Sequence, residues 1–373
     1  MSSETGSLAD HFMHTGNIAL ILCLFLAAIA CAPTTQPLST VPPSKSKMTG
    51  ETFITPDGSR LPYRSWLPAG PPTAIMLALH GFNDYSNFIR ETALFLTDHG
   101  LAVYAYDQRG FGNAPYPGLW PGRAALDDDL KTVVRLLRLR YPEVPLYLLG
   151  ESMGGAVIIT ALTGSAPPVC DGVILAAPAV WSRSTMPWSQ RLLLFLAAHT
   201  VPWLKLSGTS LNIRASDNDA MLAALGRDPL VIKETRIDTI YGLATLMDAA
   251  YDEAEYFSPP TLLLYGEHDE IIPKKPVLHL FQQLPGATTG RQRLLLYRKG
   301  YHMLLRDLQA DRVRRDINTW LQGHTLPLPS TAKAKAVELC CRNTPARDLI
   351  PCRTTSTAPD GKPVPEDLIS VSE

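Results

Sequence analysis

Net charge is what this chain has least of. Its 373 residues carry 34 Lys and Arg against 35 Asp and Glu, a formal net charge of −1. Nucleic-acid binders concentrate basic residues on one face. The basic cluster here, Arg135, Arg138 and Arg140, sits at helical spacing and reads as the solvated face of an amphipathic helix, so nucleic acid is not expected as a partner. Cysteine is also scarce, at six residues. Cys170 reads as a small apolar side chain of a buried strand. Cys340, Cys341 and Cys352 cluster near the C-terminus, where two of them could bridge in an oxidising compartment, and no histidine nearby completes a metal site. No internal repeat is present. The apolar run 18–30 is too short to span a bilayer comfortably and has the length of a signal h-region.

What is present in abundance is apolar sequence, 46% of residues, enough for a sizeable core. The most informative feature lies inside it. Gly150-Glu151-Ser152-Met153-Gly154 follows the apolar run Val144-Pro145-Leu146-Tyr147-Leu148-Leu149 and precedes Gly155-Ala156-Val157-Ile158-Ile159. The first run reads as a buried strand and the second as a helix packed on a sheet. Small residues at 150, 154 and 155 allow the two to approach closely. A serine on so sharp a strand-to-helix turn presents its hydroxyl outward, the arrangement called a nucleophile elbow.

The surrounding elements alternate. Residues 52–55 and 61–67 read as an antiparallel lead-in hairpin around Pro56-Asp57-Gly58, and 74–79 as a fully apolar strand running into His80-Gly81-Phe82. A helix over 84–98 and a strand over 101–106 follow. Residues 124–139 form a helix that is acidic at its start (Asp127, Asp128, Asp129) and basic toward its end, which suits the helix dipole. Strands over 146–149, 173–175, 261–265 and 293–297 precede a last helix over 303–322. Apolar strands alternating with helices imply an α/β fold with a mostly parallel sheet covered on both faces. Residues 181–258 contain no convincing strand and read as a helical cap inserted between two core strands; its apolar side chains suit its own core and an acyl pocket equally.

A serine hydroxyl needs a base to take its proton and a third group to orient that base. Of the nine histidines, His302 sits just beyond a late strand and before the last helix. His268 competes with it, inside the carboxylate-rich loop Gly266-Glu267-His268-Asp269-Glu270. The α/β-hydrolase order of nucleophile, acid and base is met by Ser152, Asp269 and His302, which favours His302. The acid is chosen from Glu267, Asp269 and Glu270, with Asp269 preferred. Two preorganised N–H donors should face the developing oxyanion. The N–H of Met153, directly after the nucleophile, and that of Phe82, after the first parallel strand, are the candidates. His80 is expected to brace the loop.

These segments together resemble the monoglyceride lipase and lysophospholipase branch of the α/β-hydrolase superfamily, whose members include serine aminopeptidase S33-type hydrolases. His80-Gly81-Phe82, Asp107-Gln108-Arg109-Gly110-Phe111-Gly112, Gly150 to Gly155, Gly266-Glu267-His268-Asp269 and Tyr301-His302 fall in that family's order, over roughly residues 50–322. The family carries Asp-His-Arg-Gly-His-Gly where Gln108 and Phe111 stand here. The resemblance implies an α/β-hydrolase fold, a Ser152–Asp269–His302 triad, oxyanion donors at Phe82 and Met153, and hydrolysis of monoacyl lipid esters without metal or organic cofactor. The same triad elsewhere serves peptidases, perhaloperoxidases and acyltransferases, and a hydrolase fold kept for binding alone is the non-enzymatic alternative.

At the N-terminus, Ala28-Ile29-Ala30-Cys31 resembles the lipobox of bacterial lipoproteins, although Ala28 replaces the usual leucine and the n-region has no Lys or Arg. The resemblance implies cleavage before Cys31 and its lipidation, anchoring the protein to a membrane of the cell envelope on the periplasmic side. A plain secretory signal ending near Ala30 and an uncleaved anchor are the other readings. The expected organisation is a signal peptide over 1–30, a Pro/Ser/Thr-rich tether over 31–48, the hydrolase domain over 49–324 and a disordered or loosely attached tail over 325–373.

Overall fold

The computed structural model describes residues 32–37, 42, 44–208, 213–329 and 369–372. The expected signal segment, Cys31 and the tail cysteines lie outside the described residues.

Three short strands open the sheet: β1 (Lys47–Met48), β2 (Thr52–Ile54) and β3 (Arg60–Trp66), each antiparallel to its neighbour. The fully buried segments then form its parallel centre: β4 (Ala74–Leu79), β5 (Leu101–Tyr106), β6 (Leu146–Glu151) and β7 (Gly172–Ala176). After two strands in the cap, β8 (Lys205–Ser207) and β9 (Glu234–Arg236), the sheet resumes with β10 (Thr261–Gly266) and β11 (Gln292–Tyr297). A last strand, β12 (Ile369–Ser372), pairs parallel with β11. The sheet order is β1-β2-β3-β5-β4-β6-β7-β10-β11-β12. β12 places four residues of the expected loose tail at the sheet edge. The Arg293 guanidinium also holds the carbonyls of His324 and Leu326, at 3.2 and 2.7 Å, so the domain runs past the expected boundary at 324.

Strand alternation divides the core in two. Ile75, Leu77 and Leu79 face one side with Leu130 and Val133 of α2 (Arg123–Arg140), Val157 of α3 (Met153–Thr163) and Leu246 of the cap. Met76 and Ala78 face the other, with Ala93 and Leu96 of α1 (Arg90–Asp98) and Val313, Ile317 and Trp320 of α8 (Ala310–Gln322). The spacing of those α8 residues gives one apolar stripe of an otherwise polar helix.

The cap contains α4 (Trp188–Thr200), α5 (Asp219–Arg227) and α6 (Ile237–Asp252), with α7 (Lys274–Gln283) following β10 in the main domain. Its foundation is α6, whose Gly242 lies so close to Trp120 that a Cβ would fall 2.4 Å from the indole. β8 and β9 form an antiparallel pair, so the cap is not wholly helical as expected. Three-residue strands fall below the length at which alternation can be read.

Other differences have local causes. The helix expected over 84–98 begins as a 3-10 turn, Ser86–Ile89, because the Asp107 carboxylate accepts the Ser86 N–H at 2.9 Å. The expected last helix starts at Ala310 rather than 303, since the Asp307 carboxylate accepts from Tyr301 N–H and from the Ser216 hydroxyl and folds the chain into turns. The acidic start of α2 makes specific pairs: Asp129 with Arg109 at 2.6 Å, and Asp127 with the Thr160 hydroxyl at 2.6 Å. Arg135 and Arg138, expected on a solvated face, bind Ser46 and Asp171. Part of the expected tether is docked. Thr34 N–H donates to Asp238 of α6 at 3.2 Å, and Gln36 N–H to the Trp120 carbonyl at 2.9 Å.

Candidate active site

Ser152 stands between β6 and α3 with φ 52° and ψ −114°, a conformation that costs a non-glycine residue about 1–3 kcal/mol. The surroundings enforce it. Its N–H donates to the Ala176 carbonyl at 2.9 Å, and its carbonyl accepts from Gly155, Ala156 and Ala179 N–H at 3.0, 3.2 and 2.9 Å. The close approach is strict: a Cβ on Gly154 would lie 2.3 Å from the Leu79 carbonyl oxygen, and one on Gly150 2.5 Å from the backbone of Gly154. No larger residue fits without moving strand or helix.

His302 lies beyond β11 and is buried. Its Nδ1 is 2.8 Å from Oδ2 of Asp269, which comes from the loop after β10 and whose side chain is wholly buried. The other carboxylate oxygen of Asp269 accepts the N–H groups of Ile271 and Ile272 at 2.8 and 2.9 Å, fixing its orientation. Burial alone would weaken the imidazole as a base. The charge and hydrogen bond of Asp269, with the charge of Glu151, outweigh it and hold the His302 pKa above its ordinary value. The competing residues are occupied otherwise. His268 is exposed and packs edge-on against Tyr301, Glu267 pairs with Lys274, and Glu270 accepts the Arg214 N–H.

The loop after β4 lies against the nucleophile, for a Cβ on Gly81 would be 3.3 Å from that of Ser152. No hydrogen bond among the described residues engages the N–H of Phe82 or Met153. His80 is fully buried beneath this loop. Its Nε2 accepts the Gln108 N–H at 3.0 Å, so its proton is on Nδ1, facing the Gly81 carbonyl at 2.8 Å. Burial lowers its pKa, against the pull of that carbonyl, so it remains a neutral brace. The two departures from the family pattern serve the same loop. The Gln108 side chain donates to the His80 carbonyl at 2.9 Å, and the Phe111 ring packs against His80 and Phe82 at centroid distances of 5.5 and 5.6 Å.

One part of the site was not anticipated from the sequence. The Arg306 guanidinium donates to Asp84 at 2.7 Å and to Glu151 at 2.6 Å, all three side chains being nearly solvent-free. Burial pushes the Glu151 carboxyl up and Arg306 opposes it. The available signal was Glu151 itself: a carboxylate at the buried end of an apolar strand requires a cation.

The cap meets the loops that follow β4 and β11. Asn83 carbonyl accepts the Ile232 N–H at 2.9 Å, Asn83 Nδ2 donates to Thr235, and Tyr85 hydroxyl to Asp228 at 2.8 Å. The Met303 N–H donates to the Ala215 carbonyl at 3.0 Å. A cavity of about 660 Å³ lies within the cap, lined by Ser182, Arg183, Trp188, Leu192, Phe195 and Asp248 among others. It includes none of the candidate catalytic residues. Among the described residues no group of His, Cys, Asp or Glu is placed to hold a metal, and no helix is long and apolar enough to cross a membrane.

A mostly parallel sheet, a strained serine between β6 and α3, and a buried Asp–His pair at the ends of β10 and β11 define an α/β-hydrolase. The chain belongs to the family described as "Serine aminopeptidase, S33", which matches residues 70–309. It is 29% identical over 286 residues to the monoglyceride lipase of Rattus norvegicus, covering 72% of this chain and 89% of the relative. With the monoacylglycerol lipase of Mycolicibacterium smegmatis it shares 22% identity, covering 72% of this chain and 94% of that one. In fold it is similar to a soluble variant of monoglyceride lipase from Saccharomyces cerevisiae solved with a substrate analogue (TM-score 0.62, 23% identity, 79% of this chain and 100% of that one).

Proposed function

We propose that this protein is a serine carboxylic-ester hydrolase of monoacylglycerol- or lysophospholipid-like esters. The observation that carries the reading is the buried Asp269–His302 hydrogen bond at the same sheet edge as the strained Ser152. Ser152 Oγ attacks the ester carbonyl while His302 Nε2 takes its proton, and the Phe82 and Met153 N–H groups receive the oxyanion. Collapse expels the alcohol, which leaves with the proton from His302, and the acyl group stays on Ser152. Water, deprotonated by His302, then attacks the acyl-enzyme, and the carboxylic acid departs as Ser152 regains its proton. Asp269 holds the imidazole in the tautomer this needs and stabilises its cation.

The apolar surface of the cap supports a lipid substrate over a peptide. Trp188, Leu193, Phe195, Leu196, Trp203 and Leu206, all within residues 188–206, are each about half exposed or more, a density that scattered surface hydrophobes do not explain. The names of the relatives point the same way. We further propose that Cys31 is lipidated and anchors the enzyme to an envelope membrane. Thr34 stands three residues further on, a reach of about 10 Å, and is fixed to the cap at Asp238. An acyl anchor there leaves the chain beside the apolar cap.

The reading is tested by hydrolysis of an acyl ester series from acetyl to oleoyl, monoacylglycerol included, by wild type and Ser152→Ala. Loss of activity on substitution and a rise with chain length are expected. Turnover of short esters alone removes the lipid substrate, and faster amide cleavage makes the enzyme a peptidase. Cys31→Ser should release the protein from membranes under carbonate wash, and equal retention removes the anchor.

A further inference from the structure

The Arg306 cluster draws on three separate catalytic loops. Asp84 is two residues after Phe82, Glu151 directly precedes Ser152, and Arg306 is four residues after His302. The Asp84–Arg306 and Glu151–Arg306 contacts, at 2.7 and 2.6 Å, therefore join the oxyanion loop, the nucleophile elbow and the base loop. Each of the three residues also has a hold of its own: the Asp84 carboxylate accepts the Tyr85 N–H at 2.8 Å, β6 holds Glu151 by its backbone pairing, and Asn218 Nδ2 donates to the Arg306 carbonyl at 3.0 Å. The guanidinium carbon lies over the Phe88 ring, 6.0 Å from its centroid. Arg306 lines a cavity of about 370 Å³ together with Asp84, Phe88 and Asp307.

We propose that Arg306 is a positioning residue that clamps the oxyanion loop, the elbow and the base loop into one unit through Asp84 and Glu151. This rests on Ser152 and His302 being nucleophile and base. Two properties fit the task. A planar, permanently charged fork meets two carboxylates from fixed directions, which an ammonium cannot do. And the cluster costs desolvation that an apolar trio would not, so its presence asks for a role other than burial.

The clamp also sets the charge around the base. The groups that act electrostatically on His302 are Asp269 from the loop after β10, Glu151 from the end of β6, and Arg306 on its own loop. Those acting on Glu151 are Arg306, Asp84 and His302, and buried His80 feels Asp84, Asp107 and Arg306. Glu151→Gln keeps an acceptor for Arg306 and removes one negative charge facing His302. The clamp geometry survives while the base becomes weaker.

The test uses full-length protein in detergent, with Ser152→Ala, Arg306→Met, Arg306→Lys and Glu151→Gln measured on one soluble short-chain ester. Arg306→Met should lower kcat about 100-fold with little change in KM, the penalty of a misplaced catalytic group. Arg306→Lys, which keeps the charge and loses the fork, should fall roughly tenfold at unchanged melting temperature. Glu151→Gln should keep kcat within a few-fold and move the acid limb of kcat/KM to lower pH. A wild-type kcat in Arg306→Lys overturns the clamp even if Arg306→Met does not fold, and an acid limb unmoved in Glu151→Gln overturns the charge role given to Glu151. Full activity in Ser152→Ala would instead overturn the hydrolase assignment on which the clamp depends.

Discussion

Helices α3 and α4 are both rich in apolar residues, and the structure treats them in opposite ways. Every residue of α3 from Met153 to Ala161 is buried, whereas α4 buries only Ala198 and exposes Trp188, Leu193, Phe195 and Leu196. The first belongs to the catalytic floor and the second to the cap. In the floor, backbone contacts and paired charges fix each candidate group, as with Ser152 under the Ala176 carbonyl and Asp269 under two N–H groups. In the cap, α6 is anchored against Trp120 while α4 offers apolar surface that the fold does not use. Such surface is costly to expose unless something binds it. On the proposed function, chemistry is set where tolerance is smallest, and substrate choice where it is largest.

If that division holds, floor substitutions act on kcat or on folding, substitutions at the foot of the cap on stability, and substitutions on exposed α4 on long-chain substrates alone. Asp269→Asn should leave the fold intact and lower kcat by about 10⁴-fold, since it frees the imidazole to take the wrong tautomer; circular dichroism beside kinetics checks it. Gly154→Ala must exceed the ~1–3 kcal/mol of ordinary overpacking, because its Cβ meets the Leu79 backbone at 2.3 Å. Little soluble folded protein is expected from it. Gly242→Ala meets a ring rather than backbone and should cost about 1–3 kcal/mol, read as a lower Tm with short-ester kcat preserved. Leu193→Ser with Phe195→Ser should change stability by no more than about 0.5 kcal/mol and slow hydrolysis of long-chain esters in vesicles several-fold. A Tm loss as large as that of Gly242→Ala would show α4 to be structural after all. In wild type, kcat/KM should fall on the acid side with a midpoint above the ordinary imidazole value, because His302 serves as base only when neutral and its proton is held more tightly than usual.

The same contrast explains what the sequence revealed. The elbow was legible because its glycines, apolar strand and apolar helix are contiguous, and Asp269 and His302 because each follows a strand in the expected order. Arg306, Asp84 and Glu151 were not, since Arg306 and Asp84 stand 222 residues apart and Glu151 occupies a position the motif leaves open. The apolar run Met303-Leu304-Leu305 predicts helix before α8, while Asp307, which breaks it, looks like any surface carboxylate until its partners Ser216 and Tyr301 are seen. In the cap, β8 and β9 were too short to show alternation, and docking of Thr34 and Gln36 depends on partners far along the chain.

The most direct measurement is to treat the full-length enzyme with an alkyl fluorophosphonate and locate the adduct by peptide mass spectrometry. A single stoichiometric adduct on Ser152, lost in Ser152→Ala and slowed in Asp269→Asn, is the predicted result. An adduct on another serine, or ester hydrolysis that survives in Ser152→Ala, would contradict the account.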